Sequence, residues 1–361
     1  MATQVFFATN RTFDGTLFGG SPDKVVHTLR LGEVRVSQAA GDGMTRVLES
    51  RSCDGLDDFA AASGSCGQVL DGYIRAVRAA GGVPFLNIHG FQYSFDEAVI
   101  RTAELAEMFR EANPAVPAVP LLITWPSSGA LGAKDYVTDR QSALVSGEAV
   151  ARLFEELHAR GLAPLHPFLL VHSSGAWALQ HAVQASLRRF KNGLPRLFRN
   201  VVLAAADVAH DALNDPGALR PLADMADRVT ALVLPEDPVL NRLSAPMNGP
   251  RLGAQGPPLD GSLPDNVRVL DMSYLVDLAG LVAPQWDSAW NLVGHQYYRS
   301  EARVRDAMAA LLMADRLPLE AVWRPGVRDP TVAISERAAP FYWYVGGAPS
   351  QPGALPGPQG G

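Results

Sequence analysis

The sequence predicts an α/β fold: a mostly parallel central sheet, helices on both faces, and loop insertions at the C-terminal edge of the strands. Three observations lead there. Short apolar runs alternate with helical patterns along the chain, as in a sheet built through crossover helices. Helix start and stop signals separate those segments. The 361 residues, 47% hydrophobic and 19% charged, also supply enough apolar material for one large core.

The elements follow in order. Residues 4–8 read as an opening strand, followed by a Gly-rich loop through Ser21, and residues 31–37 as a second strand. A helical stretch within 57–80, marked by Val69, Tyr73, Ile74 and Val77, stops at Gly81-Gly82. Residues 83–88 form a short apolar strand ending in His89-Gly90-Phe91. Ser94 caps the next helix, with Glu97 as its capping-box partner. Pro114, Pro117 and Pro120 precede a strand over 121–125, which a Pro126-Ser127-Ser128-Gly129 turn follows. A long amphipathic helix over 139–160, with Asp139 as its N-cap, ends at Gly161.

Residues 168–171 are a fully apolar strand, and 175–190 the helix after it. Further strands are expected at 200–205, 229–234 and 267–271, and a closing helix at 299–313. Segment 241–265 is rich in Pro and Gly without a periodic pattern, as expected of a wall or lid over a site. One domain over 1–345 is expected, with a Gly/Pro-rich disordered tail over 346–361.

Composition excludes several classes. A net charge of -6 and the lack of basic runs argue against nucleic-acid binding. No run approaches the roughly 18 apolar residues of a membrane span. The first residues lack a signal-peptide pattern, so a cytoplasmic location is the expectation if residue 1 is the natural start. The two cysteines, Cys53 and Cys66, read as free thiols, and the eight histidines show no zinc-ligand spacing. No metal and no organic cofactor is expected.

The chemistry concentrates at the turn after strand 168–171. His172-Ser173-Ser174-Gly175 has the form of a nucleophile elbow, which lifts a serine Oγ clear of the sheet on a sharp strand-to-helix turn. Ser173 has the spacing to Gly175; Ser174 is the rival hydroxyl. Val171 stands where the usual pattern has its first Gly. In this kind of site the N–H after the nucleophile, here that of Ser174, is one oxyanion donor. The second comes from the loop after the third strand, where Phe91 supplies the N–H. His89 is expected to stabilise that loop. The base should lie late in the chain, which favours His295 over His210. The acid is Asp237, after strand 229–234, or alternatively Asp207, after strand 200–205. Trp286 and Trp290, in segment 282–291, are candidates for the substrate pocket.

Taken together, Phe6-Phe7-Ala8-Thr9-Asn10-Arg11, His89-Gly90-Phe91, Trp125-Pro126-Ser127-Ser128-Gly129, Asp139-Arg140, His172-Ser173-Ser174-Gly175, Leu203-Ala204-Ala205-Ala206-Asp207 and Gly294-His295-Gln296 carry a resemblance. The chain resembles the bacterial α/β-hydrolases grouped as domain of unknown function number nine hundred. The resemblance implies an α/β-hydrolase fold and a serine-hydrolase core of Ser173, His295 and an acid, without naming a substrate. Members usually carry Met after the nucleophile, where this chain has Ser174. The expected activity is hydrolysis of a small carboxylic ester through an acyl-enzyme. Acyl transfer, amidase activity and a non-catalytic binding role remain the alternatives.

Overall fold

Apolar runs flanked by helical segments pair into one sheet, and its order fixes where the loops meet. The computed structural model describes residues 2–22, 29–38, 44–47, 65–128, 133–258, 263–273, 276, 294–313, 323–325 and 342–345. Five strands come first: β1 (Ala2–Thr9), β2 (Arg11–Phe13), β3 (Phe18–Pro22), β4 (Arg30–Gln38) and β5 (Met44–Val47). Alternation then sets in with α1 (Ser65–Ala80), β6 (Val83–Ile88), α2 (Phe95–Ala112), β7 (Ala118–Thr124), α3 (Ala133–Ala159), β8 (Phe168–His172), α4 (Gly175–Arg189) and β9 (Phe198–Ala204). The second half adds α5 (Leu222–Met225), β10 (Ala226–Val233), α6 (Ala245–Asn248), α7 (Leu252–Gln255) and β11 (Val267–Asp271). It closes with α8 (Tyr297–Ser300), α9 (Ala302–Met313), β12 (Trp323–Pro325) and β13 (Tyr342–Val345).

The sheet order is β12-β13-β11-β10-β9-β8-β6-β7-β1-β4-β5. Every pairing from β13 across to β1 is parallel, while β4, β5 and β12 extend the edges antiparallel. This is the expected α/β-hydrolase architecture, a mostly parallel sheet with helices on both faces. The central strands are apolar on both sides because both faces are covered. Leu169 and Val171 of β8 join a cluster with α1, α3 and α4. Phe168 and Leu170 of the same strand join another with α2 and α9. Among the described residues no helix is long and apolar enough to cross a membrane.

Local signals explain most boundaries. Ser94 and Glu97 close a reciprocal capping box at the start of α2. Pro120 lies inside β7 rather than before it, at a point where β6 is paired but β1 joins only from Leu121. A proline is tolerated in a strand where a ladder bond is not required of it.

Several expectations are corrected. The segment through Ser21 contains the β2–β3 hairpin. The long helix begins at Ala133, so Asp139 is not its N-cap; the buried Asp139 carboxylate instead accepts the Ser127 hydroxyl at 2.5 Å and the Ser128 N–H at 3.0 Å. Within 241–265 the chain forms a π-helical turn, α6 and α7, and buries Arg251, Leu252 and Ala254. Apolar periodicity could not reveal these turns because each is too short to repeat it. Two strands that the sequence pattern did not show, β12 and β13, follow the one at 267–271. The free-thiol reading also fails, because Cys66 is disulfide-bonded. Cys53, the other cysteine of the sequence, lies outside the described residues.

Candidate active site

In the sheet β6, β8, β9 and β10 are consecutive neighbours, so their C-terminal ends form one edge. Such an edge is where a parallel α/β sheet gathers its functional loops. Ser173 follows β8 directly and has φ +50°, in the left-handed region that a side-chain-bearing residue adopts at a cost of roughly 1–3 kcal/mol. Neighbouring backbone clamps it there. The Ser173 N–H donates to Ala204 O at 3.0 Å, and Ser173 O accepts from Asp207 N–H at 3.1 Å and Ala176 N–H at 3.0 Å. Val171 does not obstruct the turn, since its side chain lies in the apolar cluster that also contains Ala176 and Leu179.

Two glycines let the surrounding backbone close in. A Cβ at Gly175 would stand 2.4 Å from His89 O, so the start of α4 fits against the end of β6 only without a side chain. A Cβ at Gly90 would stand 2.7 Å from His172 Nδ1 and 3.0 Å from Ser173 Cβ. The His89-Gly90-Phe91 loop therefore runs immediately beside Ser173.

Three side chains from distant parts of the chain meet here. His295 Nε2 lies 2.9 Å from Ser173 Oγ, and His295 Nδ1 lies 2.7 Å from Asp237 Oδ2. All three are buried. An ionised carboxylate only accepts, so Nδ1 carries the proton and Nε2 is left to accept from the Ser173 hydroxyl. Asp237 is held in turn: its Oδ1 accepts the N–H groups of Val239 at 2.9 Å and Leu240 at 3.0 Å. The arrangement can remove a proton from Ser173 Oγ and stabilise the imidazolium that results. Neither Phe91 N–H nor Ser174 N–H donates a hydrogen bond to a described residue.

Asp207, the alternative acid, has other partners. Its Oδ2 accepts from the Tyr136 hydroxyl at 2.6 Å and the Ser174 hydroxyl at 3.2 Å. Its Oδ1 accepts from the Ser244 hydroxyl at 2.5 Å and lies 3.6 Å from Arg251 Nε. Burial and the adjacent Asp207 charge push the Tyr136 hydroxyl pKa up, so it remains a donor. This second cluster touches the residue after Ser173 without touching His295. Tyr136, Ser244 and Arg251 were not singled out in the sequence. Tyr136 lies 108 residues before Ser244, and only the fold brings it to the Ser244–Arg251 segment and to Asp207.

His172, which carries no assigned role in the sequence motif, packs beside the base. Its ring packs at a tilt against those of His295 and Tyr298, with centroids at 4.9 and 4.6 Å, and its Nε2 donates to His295 O at 3.3 Å. Burial, helped by the nearby His295, holds its pKa well below the usual value, so it stays neutral. His210 packs elsewhere, its N–H donating to Pro250 O at 3.1 Å. Trp286 and Trp290 lie outside the described residues. Among the described residues no group of three or more His, Cys, Asp or Glu side chains is arranged to hold a metal ion.

Residues 79–316, about two thirds of the chain, match the family model described as "Alpha/beta hydrolase of unknown function (DUF900)". No curated protein matches the sequence.

Proposed function

We propose, from the premise that the chain belongs to this family of α/β hydrolases, that it is a serine hydrolase cleaving small carboxylic esters through an acyl-enzyme. One observation carries the reading. Ser173 Oγ, His295 and Asp237 form an unbroken hydrogen-bonded series, with Ser173 on a left-handed turn at the C-terminal edge of the sheet.

In this reading Ser173 Oγ attacks the ester carbonyl while His295 Nε2 takes its proton. Asp237 keeps His295 in the required tautomer and stabilises the imidazolium. The N–H groups of Phe91 and Ser174 receive the developing oxyanion. His295 then returns the proton to the departing alcohol. A water molecule, deprotonated by the same imidazole, attacks the acyl-enzyme and releases the acid. Asp207 supports the turn instead of serving as triad acid.

The test is steady-state hydrolysis of a short-chain aryl ester by the full chain, compared with Ser173→Ala and His295→Ala. Turnover by the wild type and loss of at least about a thousandfold in each variant is the expected result. Comparable rates in all three proteins would overturn the proposal.

A further inference from the structure

The oxyanion proposed above needs the Phe91 N–H aimed at the carbonyl beside Ser173, and a line of buried side chains governs that aim. Phe91 N–H shares its peptide plane with Gly90 C=O. Peptide units are planar, and no described peptide bond is cis, so the two groups point in opposite directions. Whatever fixes Gly90 O therefore fixes the direction of Phe91 N–H. Gly90 O lies 2.8 Å from His89 Nδ1. A carbonyl only accepts, so Nδ1 carries the hydrogen and His89 Nε2 must be an acceptor.

That acceptor is met by Thr124 Oγ1 at 2.8 Å, at the end of β7. The same Thr124 oxygen receives Arg11 Nε–H at 3.0 Å, which leaves its own proton free to point at His89. Arg11 is fully buried and holds the surrounding loops as well. It donates to Tyr93 O at 2.7 Å, Ser127 O at 2.9 Å and Gly19 O at 3.1 Å. The indole N–H of Trp125 pins the preceding carbonyl, His89 O, at 2.8 Å, and the Trp125 ring stacks on the His89 imidazole. Burial, and secondarily the Arg11 charge, lower the His89 pKa to about 3. His89 thus keeps one neutral tautomer at ordinary pH.

We propose that Arg11, Thr124 and His89 form a positioning relay that aims the Phe91 N–H at the oxyanion by fixing the Gly90 carbonyl behind it. The inference rests on the proposed serine-hydrolase reading. It gives a role to Arg11 and to the Trp125 turn, which the sequence presents only as motifs. None of the relay residues touches the substrate; each acts through the Gly90–Phe91 peptide.

Thr124→Val and Thr124→Ser separate this role from packing. Valine keeps the branched shape and removes the hydroxyl; serine keeps the hydroxyl and removes a methyl. Both variants of the full chain are assayed for kcat and KM on a short-chain aryl ester, and for inhibition by an arylboronic acid, whose tetrahedral serine adduct presents an oxygen to the same donors. Expected is a fall in kcat of about 10- to 100-fold for Thr124→Val with KM nearly unchanged, in line with weakening one oxyanion donor. Boronate affinity should fall in parallel, and Thr124→Ser should stay within threefold of wild type on both measures.

If Thr124→Val does not fold, His89→Asn and His89→Ala replace it. The Asn amide N–H can stand near the place of Nδ1–H, so the Ala variant should lose at least tenfold more kcat than the Asn variant. Equal losses within either pair, or a kcat loss with unchanged boronate affinity, would overturn the relay alone. A wild type that neither turns over the ester nor binds the boronate would overturn the serine-hydrolase reading and the relay with it.

Discussion

Replacing Asp237 with Asn should reverse the tautomer of His295, and the structure states why. Asp237 Oδ1 accepts two backbone N–H groups, from Val239 and Leu240, at 2.9 and 3.0 Å. An Asn side chain must leave its oxygen in that place, because its NH2 would face two donors there. The amide nitrogen is then forced toward His295 Nδ1, where Oδ2 now sits at 2.7 Å. Nδ1 becomes an acceptor, the ring proton moves to Nε2, and Nε2–H confronts the Ser173 hydroxyl it should deprotonate. At about 1.4 kcal/mol per decade, the expected loss of about four decades corresponds to roughly 5.5 kcal/mol of transition-state stabilisation. The assay is kcat on an aryl ester for Asp237→Asn and Asp207→Asn, with folding checked by circular dichroism. A folded Asp237→Asn within tenfold of wild type would refute this reasoning, as would a near-total loss confined to Asp207→Asn.

Other consequences follow from the same packing. His172 and His89 are both held neutral by burial, with pKa values depressed in the folded chain. The unfolded chain therefore binds more protons below about pH 6.5, so their contribution is intact above that pH and is lost as pH falls below it, for His89 down to its folded pKa of about 3. Urea unfolding should show stability dropping over that window by up to about 1.4 kcal/mol per pH unit for each histidine, and His172→Phe should flatten the slope. Gly175→Ala should destabilise the fold by about 1–3 kcal/mol, because its methyl would press on His89 O; an unchanged thermal midpoint would contradict the contact. Asp207→Ala should cost about 3 kcal/mol or more in urea unfolding, since it leaves the buried Arg251 without its carboxylate. A change under 1 kcal/mol would show that this pair does not support the fold.

Sequence and structure agree best where the signal is local. Residues 168–171 could be read as a strand from four consecutive apolar side chains, and the structure extends it by one residue to His172. The Ser94–Glu97 capping box lies wholly within four residues and was equally legible. Chain order pointed to Ser173 and His295 and left the acid between Asp237 and Asp207, because this fold places those groups at successive strand ends. Contacts made by long-range folding were not legible. Asp139 sits six residues inside α3 with its carboxylate turned to Ser127 and Ser128, and helix periodicity carries no record of that. Asp207 offered the same local context as a triad acid, a carboxylate after a strand. Only the arrival of Tyr136 and Ser244 from elsewhere shows which partners it takes. In the sequence Arg11 stands only as the last residue of the motif that begins at Phe6, yet it is among the largest fully buried side chains of the described residues.

The central claim is that Ser173 is the nucleophile, activated by His295. It is tested most directly by incubating the full chain with a fluorophosphonate and locating the adduct by peptide mass spectrometry. The account predicts one stoichiometric adduct, carried by Ser173, absent in Ser173→Ala and formed at least a hundredfold more slowly in His295→Ala. No adduct on the folded wild type, an adduct on Ser174 or another residue, or labelling that persists in Ser173→Ala would contradict it.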